Sequence, residues 1–164
     1  MTGENGGNMK VWRPNALLAK TLNLAPNDSI ARSASRYGLA ESSIYHGQYR
    51  TYDRWKSVQK MGQLKVDYRG KKAIPELGGR ICHELVRTCE PAEADAFILG
   101  ESPRSDPNQL FTTVQIFLDA ETGYQVGAVL TRADGQLIGS YFFRDVLLNP
   151  SFPPGQFTPA AFGK

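Results

Sequence analysis

The sequence predicts an α+β fold: an antiparallel sheet built from the second half of the chain, covered by helices from the first half. Two observations carry this. Between Phe111 and Val146, strand-like runs are separated by two turn signals, Ala120-Glu121-Thr122-Gly123 and Asp134-Gly135. Between Ile30 and Lys60, the apolar residues Tyr37, Leu39, Ile44, Tyr45, Tyr52, Trp55 and Val58 recur at roughly helical intervals. A three-strand meander with one apolar face needs a cover, and the upstream helices supply it.

The remaining elements follow in chain order. Met9 to Arg13 reads as a short strand stopped by Pro14, and Ala16 to Leu24 as a brief helix ended before Pro26. Asn27-Asp28-Ser29 offers capping residues to the main helical region. Gly38 and Gly47 should interrupt that region, giving two or three helices. After Gly62 the pattern turns to strands. Leu64 to Tyr68 alternates, and turns are expected at Arg69-Gly70-Lys71-Lys72 and at Glu76 to Arg80. Ile81 to Cys89 reads as a strand. It puts Cys82 and Cys89 on opposite faces and roughly 23 Å apart, beyond disulfide reach. Two small buried thiols fit better than a bridge or a zinc site. Pro91 to Phe97 reads as a helical turn with Pro91 at its start, and Ser102 to Asn108 as a loop.

Phe111 to Asp119, Tyr124 to Arg132 and Gln136 to Val146 form the meander, followed by an irregular tail. The first of these strands carries Val114, Ile116 and Leu118 on one face, and the Gly123 loop leaves open which face that is. A two-residue Asp134-Gly135 turn pairs Ala133 with Gln136, Thr131 with Ile138, Ala128 with Tyr141, and Val126 with Phe143. The drier face then holds Val126, Ala128, Leu130, Tyr141 and Phe143. The other face holds Gln125, Val129, Thr131, Ile138, Ser140, Phe142 and Arg144.

With 164 residues, 41% hydrophobic and 21% charged, the chain fits one soluble globular domain that folds without disulfide or metal. No apolar run approaches the ~18 residues of a transmembrane helix. Met1 to Asn8 lacks the basic and apolar regions of a signal peptide. Charge is concentrated: residues 50–72 carry a net +6, while residues 73–164 carry −5. A local +6 suits phosphate, anionic lipid or nucleic acid. Its sparse spacing reads instead as a solvated face balanced by the acidic half, and a pI near 8.9 is too mild to argue for nucleic-acid binding.

No catalytic constellation is legible. Only His46 and His83 are of the residue type that serves as a near-neutral base. Cys82 and His83 are strand neighbours and point apart, and no zinc-protease motif or nucleophile elbow is present. The carboxylate pairs Asp119 with Glu121 and Glu93 with Asp95 sit in expected turns and read as solvated. The chain is therefore read as no enzyme, with no cofactor and no metal.

One resemblance spans most of the chain. Phe111 to Gly123, then Ala133-Asp134-Gly135-Gln136, Phe142 to Asn149 and Phe157-Thr158-Pro159 resemble the C-terminal half of outer-membrane lipoprotein-carrier proteins. Glu4 to Trp12, Ser35-Arg36-Tyr37 and Gly78-Gly79-Arg80 look more closely like a secreted family known as domain of unknown function 1571. The resemblance implies a strongly curved, incomplete antiparallel half-barrel with helices packed on its concave apolar face. It further implies a cell-envelope or secreted location and a non-enzymatic role in binding a lipid, a lipoprotein acyl chain or another hydrophobic ligand. Phe117, Val126, Ala128, Leu130, Tyr141 and Phe143 are then the candidate lining, although alternating apolar strands first of all make core. The alternative is a ligand-free structural or protein-interaction domain.

On this reading residues 1–164 form a single domain, with helical cover over 29–61, antiparallel strands over 62–148 and an irregular tail over 149–164. Its relatives carry further strands before the segment matching Gly3 to Trp12. The sequence thus reads as a fragment, a late start or a reduced sheet. An unpaired sheet edge is expected, with self-association through it or marginal stability.

Overall fold

The structure is a computed structural model and describes residues 9–12, 21–25, 28, 42–94, 110–147 and 150–156. The chain parts into two compact units, Met1–Ala40 with Leu147–Lys164, and Glu41–Val146. In the first, strand β1 (Met9–Trp12) pairs antiparallel with β2 (Thr21–Leu24), Val11 opposite Leu22. The helix expected over Ala16 to Leu24 is thus replaced, from Thr21 on, by a strand. Four residues are too short to sustain a helix alone, and pairing with β1 satisfies their backbone instead. The part of the helical expectation over 30–41 lies outside the described residues.

The second unit opens with helix α1 (Ile44–Lys60). Ser43 caps it, its hydroxyl accepting the His46 backbone N–H at 3.3 Å. The helix runs through Gly47 rather than breaking there; an isolated glycine costs only about 1 kcal/mol, which sixteen other helical residues absorb. It ends at Met61 and Gly62, where Gly62 takes φ 69° and donates to the Gln59 carbonyl at 2.9 Å. Ile44, Gln48, Thr51, Trp55 and Val58 form its more enclosed stripe, and of these only Val58 is fully buried.

Five strands follow: β3 (Lys65–Ile74), β4 (Arg80–Ala94), β5 (Leu110–Asp119), β6 (Gln125–Thr131) and β7 (Leu137–Phe142). They pair antiparallel in sequence order, and β3 and β7 end the described sheet without pairing to each other. Each of the four pairings contains a register shift. Such irregularities bend strands, and they give this unclosed sheet its curvature.

Two expected turns are in fact strand. Arg69 to Lys72 lies within β3, where Gly70 (φ 85°) sits in the register shift between Tyr68 and Lys71. Glycine here makes a bulge rather than a reversal. Pro91 lies within β4, not at the start of a helical turn, and its peptide bond from Glu90 is cis. It is tolerated because the pairing with β5 skips from Thr88 to Glu93, so no ladder bond needs a proline N–H.

The β6–β7 connection also departs from expectation. Its loop has three residues: Gly135 donates to the Arg132 carbonyl at 3.0 Å, and Arg132 to the Gln136 carbonyl at 2.9 Å. Gly135 alone in this loop has positive φ, at 82°. This is a three-residue loop with glycine in the left-handed position, not the two-residue turn. Thr131 therefore faces Leu137 rather than Ile138. A second shift at Ile138 cancels the first, so Ala128 faces Tyr141 as expected.

The register defines two faces. On the Ile116 face a continuous rung crosses all five strands: Tyr68, Leu85, Ile116, Ala128 and Tyr141. The neighbouring rung holds Val66, Arg87, Val114 and Leu130. On the Glu84 face lie Lys72, Cys82, Glu84, Gln115, Phe117, Asp119 and Phe142. Each face carries its own buried cluster. Ile74, Leu77, Cys82, Phe117 and Val126 pack with Val129 and Phe142. Cys89, Phe111 and Leu130 pack with Val114, Ile138 and Tyr141.

Candidate functional site

The candidate lining does not form one surface. Ala128, Leu130 and Tyr141 lie on the Ile116 face, together with Val114 and Ile116, which settles the face left open above. Phe117 and Val126 belong to the cluster of the Glu84 face. The expected alternation of Val126 with Ala128 fails because β6 shifts register between the partners of Phe117 and Leu118, leaving Val126 as the extra residue. Phe143 is half-buried, its N–H donating to the Val126 carbonyl at 2.8 Å.

The Glu84-face cluster is filled. Phe117 and Phe142 stack with ring centroids 5.8 Å apart. A Cβ on Gly127 would lie 2.7 Å from Phe142 Cδ1 and 3.1 Å from Phe117 Cδ2, so glycine is what lets the two rings close over the strand. Helix α1 joins the sheet through two polar side chains, Gln48 and Arg54. The Gln125 N–H donates to Gln48 Oε1 at 3.4 Å, and Arg54 reaches Glu93 with two contacts of 3.0 Å and 2.8 Å. The start of β6 and the end of β4 are thus its two points of attachment.

Glu93 is the hub of that attachment. Its carboxylate also accepts from Arg87 Nη1 at 3.1 Å and pairs with Arg87 Nη2. Arg87 is 3% exposed, and its Nε has no hydrogen-bond partner among the described residues. Burial pushes Glu93 upward, but the hydrogen bonds and charges of Arg54 and Arg87 outweigh it and hold the carboxyl below its ordinary range. Cys89 lies beside this group, and burial pushes its thiol up to about 11.

Two further carboxylates are buried on the other face. Glu84 accepts from the Gln115 amide and pairs with Lys72. Burial raises its carboxyl and the charges and hydrogen bonds of Lys72 and Gln115 more than reverse that. Asp119, at 2% exposure, accepts the backbone N–H groups of Glu121 (3.0 Å) and Thr122 (2.8 Å) and the guanidinium of Arg80 (3.0 Å). Burial is again outweighed, and its carboxyl too is held low. Asp119 and Glu93 are therefore structural anchors rather than solvated turn residues. The sequence hides this because Arg54 and Arg80 each lie 39 positions from the carboxylate they hold.

The basic segment is partly neutralised. Arg54, Lys65, Arg69 and Lys72 each form an ion pair, three of them with glutamates of β4. The described edge strand β3 consists mostly of exposed residues, five of them charged, and carries a bulge; these features discourage pairing through an open edge.

His46 Nδ1 lies 2.8 Å from the Ser43 hydroxyl at the helix cap. His83 Nδ1 lies 2.7 Å from the Tyr68 hydroxyl on the exposed part of the Ile116 face. Cys82 and Cys89 are both free and buried, on opposite faces as expected. A cleft of about 380 Å³ opens at the start of β4 beside Leu77, Gly78, Arg80, Asp119 and Glu121, and none of the six lining candidates borders it. Among the described residues, no three His, Cys, Asp or Glu side chains gather as a metal site, and no helix is long and apolar enough to cross a membrane.

Compared with family models, curated proteins and solved structures, the chain matches none.

Proposed function

We propose that this chain is a non-enzymatic cell-envelope protein that binds a lipid, an acyl chain or another hydrophobic ligand in the concave face of a half-barrel. The observation that carries this reading is the rung Tyr68, Leu85, Ile116, Ala128 and Tyr141, apolar or aromatic on every strand. Helix α1 is tied to Arg87 of this face through Arg54 and Glu93, and only its Val58 is fully buried. An alkyl chain laid along the rung gains about 0.8 kcal/mol for each CH₂ removed from water, without directional contacts. The candidate lining accordingly narrows to Ala128, Leu130 and Tyr141. The order of sequence motifs, which resembles that of lipoprotein carriers, supports the same ligand class.

The second reading, a ligand-free structural or protein-interaction domain, is favoured by the close packing of Gly127 against Phe117 and Phe142. Titration of the delipidated protein with a pyrene-labelled fatty acid separates the two. The first reading expects saturable binding, competed by unlabelled palmitate and abolished by Ala128→Trp, which fills the rung. Phe117→Leu, on the opposite face, leaves binding intact. Absence of saturable binding by the wild-type chain would favour the ligand-free domain.

A further inference from the structure

The outward side of helix α1 is occupied by three tyrosines. Tyr45, Tyr49 and Tyr52 are 70%, 56% and 59% exposed. Their spacing places them in one stripe, continued by Lys56 and Lys60 and opposite the buried Val58. The rings are organised on the surface. Tyr45 and Tyr49 stack with centroids 6.4 Å apart, and the Lys56 ammonium lies 5.5 Å from the centre of the Tyr52 ring. The contacts that tie the helix to the sheet are made by Gln48 and Arg54, outside this stripe. Asp53 is the only acidic residue in the helix, against four basic ones.

We propose that this face docks on an anionic lipid bilayer surface. Tyrosine combines an apolar ring with a polar hydroxyl and settles at the level of lipid headgroups. A helix lying in that plane sinks one face by a few ångströms, and the charged ends of its lysines reach the headgroups. The charge on the stripe complements anionic lipid. The argument uses the helix surface alone, so it stands or falls separately from binding of an acyl ligand in the sheet.

The test is co-sedimentation of the whole chain with vesicles of phosphatidylcholine mixed with phosphatidylglycerol. Binding should rise with the phosphatidylglycerol fraction and weaken in high salt. The triple variant Tyr45→Ser, Tyr49→Ser, Tyr52→Ser should reduce binding at least about tenfold, two buried ring faces' worth of transfer free energy. Lys56→Gln and Lys60→Gln should each reduce it about fivefold, the effect of one lysine near an anionic surface. Lys71→Gln, on β3, should leave it unchanged. All these residues are exposed, and circular dichroism checks that each variant folds. Equal binding to pure phosphatidylcholine, or full binding by the triple variant, overturns the proposal. So does retention on a polyglutamate matrix without vesicle binding, which points to an acidic protein partner.

Discussion

On the Glu84 face the buried charge is a carboxylate, and its cationic partner Lys72 is half-exposed, at 51%. On the Ile116 face the buried charge is the guanidinium of Arg87, and its partner Glu93 is itself nearly enclosed, at 12%. The difference lies in where a widowed partner can go. Released from Glu84, Lys72 swings into water. Released from Glu93, Arg87 stays in the sheet with no other counter-charge among the described residues, and its Nε has no partner among them. Two ion pairs of similar appearance therefore carry unequal consequences, because breaking a buried pair is costly mainly through the charge left behind.

Acid should strike both sites together and have the largest effect. Glu84, Glu93 and Asp119 are all held below their unfolded values. Their contribution is present above the unfolded carboxylate range and is lost as pH falls through the lower folded values. The urea midpoint should thus hold near neutrality and decline below about pH 4, continuing downward past the point where ordinary carboxylates have titrated. A midpoint flat to pH 3 would mean that neither pair contributes.

Glu93→Gln comes next, with a loss of about 3–5 kcal/mol in urea unfolding, since Arg87 remains buried and uncompensated. It also detaches Arg54, so amide exchange in α1 should speed up more than in β5. Gly127→Ala tests the packed cluster and should cost about 1–3 kcal/mol, because the new methyl group must displace the Phe142 ring. Glu84→Gln should be mildest, at about 1 kcal/mol, for the amide keeps a hydrogen bond to Gln115 and Lys72 reaches solvent. Equal losses for the two glutamate variants would break the comparison between the faces.

Local signals carried the fold a long way. The order of β5, β6 and β7, the Gly123 hairpin and the pairing of Ala128 with Tyr141 all follow from alternation and turn residues, and the structure contains them. What local signals missed were features decided by more than one strand. The register shifts at Gly70, Val126 and Ile138 leave no mark in a single strand's pattern, yet the one at Val126 moves a lining candidate to the opposite face. Thr21 to Leu24 became a strand because β1 was there to pair with it. The Arg54–Glu93–Arg87 group joins residues 39 and 6 positions apart across a rebuilt strand, and nothing near Glu93 announces its partners. Helical spacing groups Tyr45 and Tyr52 with Ile44, Trp55 and Val58; only their exposure separates them from the Val58 stripe.

The strand β4 holds one thiol on each side of the sheet, Cys82 at 0% exposure and Cys89 at 1%. Both are protonated and out of reach in the folded state, since burial raises each of them. They amount to a pair of built-in clocks. A thiol-reactive label added under native conditions can modify Cys89 only while the Ile116 side is open, and Cys82 only while the Glu84 side is. The order in which the two adducts accumulate therefore records which side of the molecule breathes first, without a single substitution.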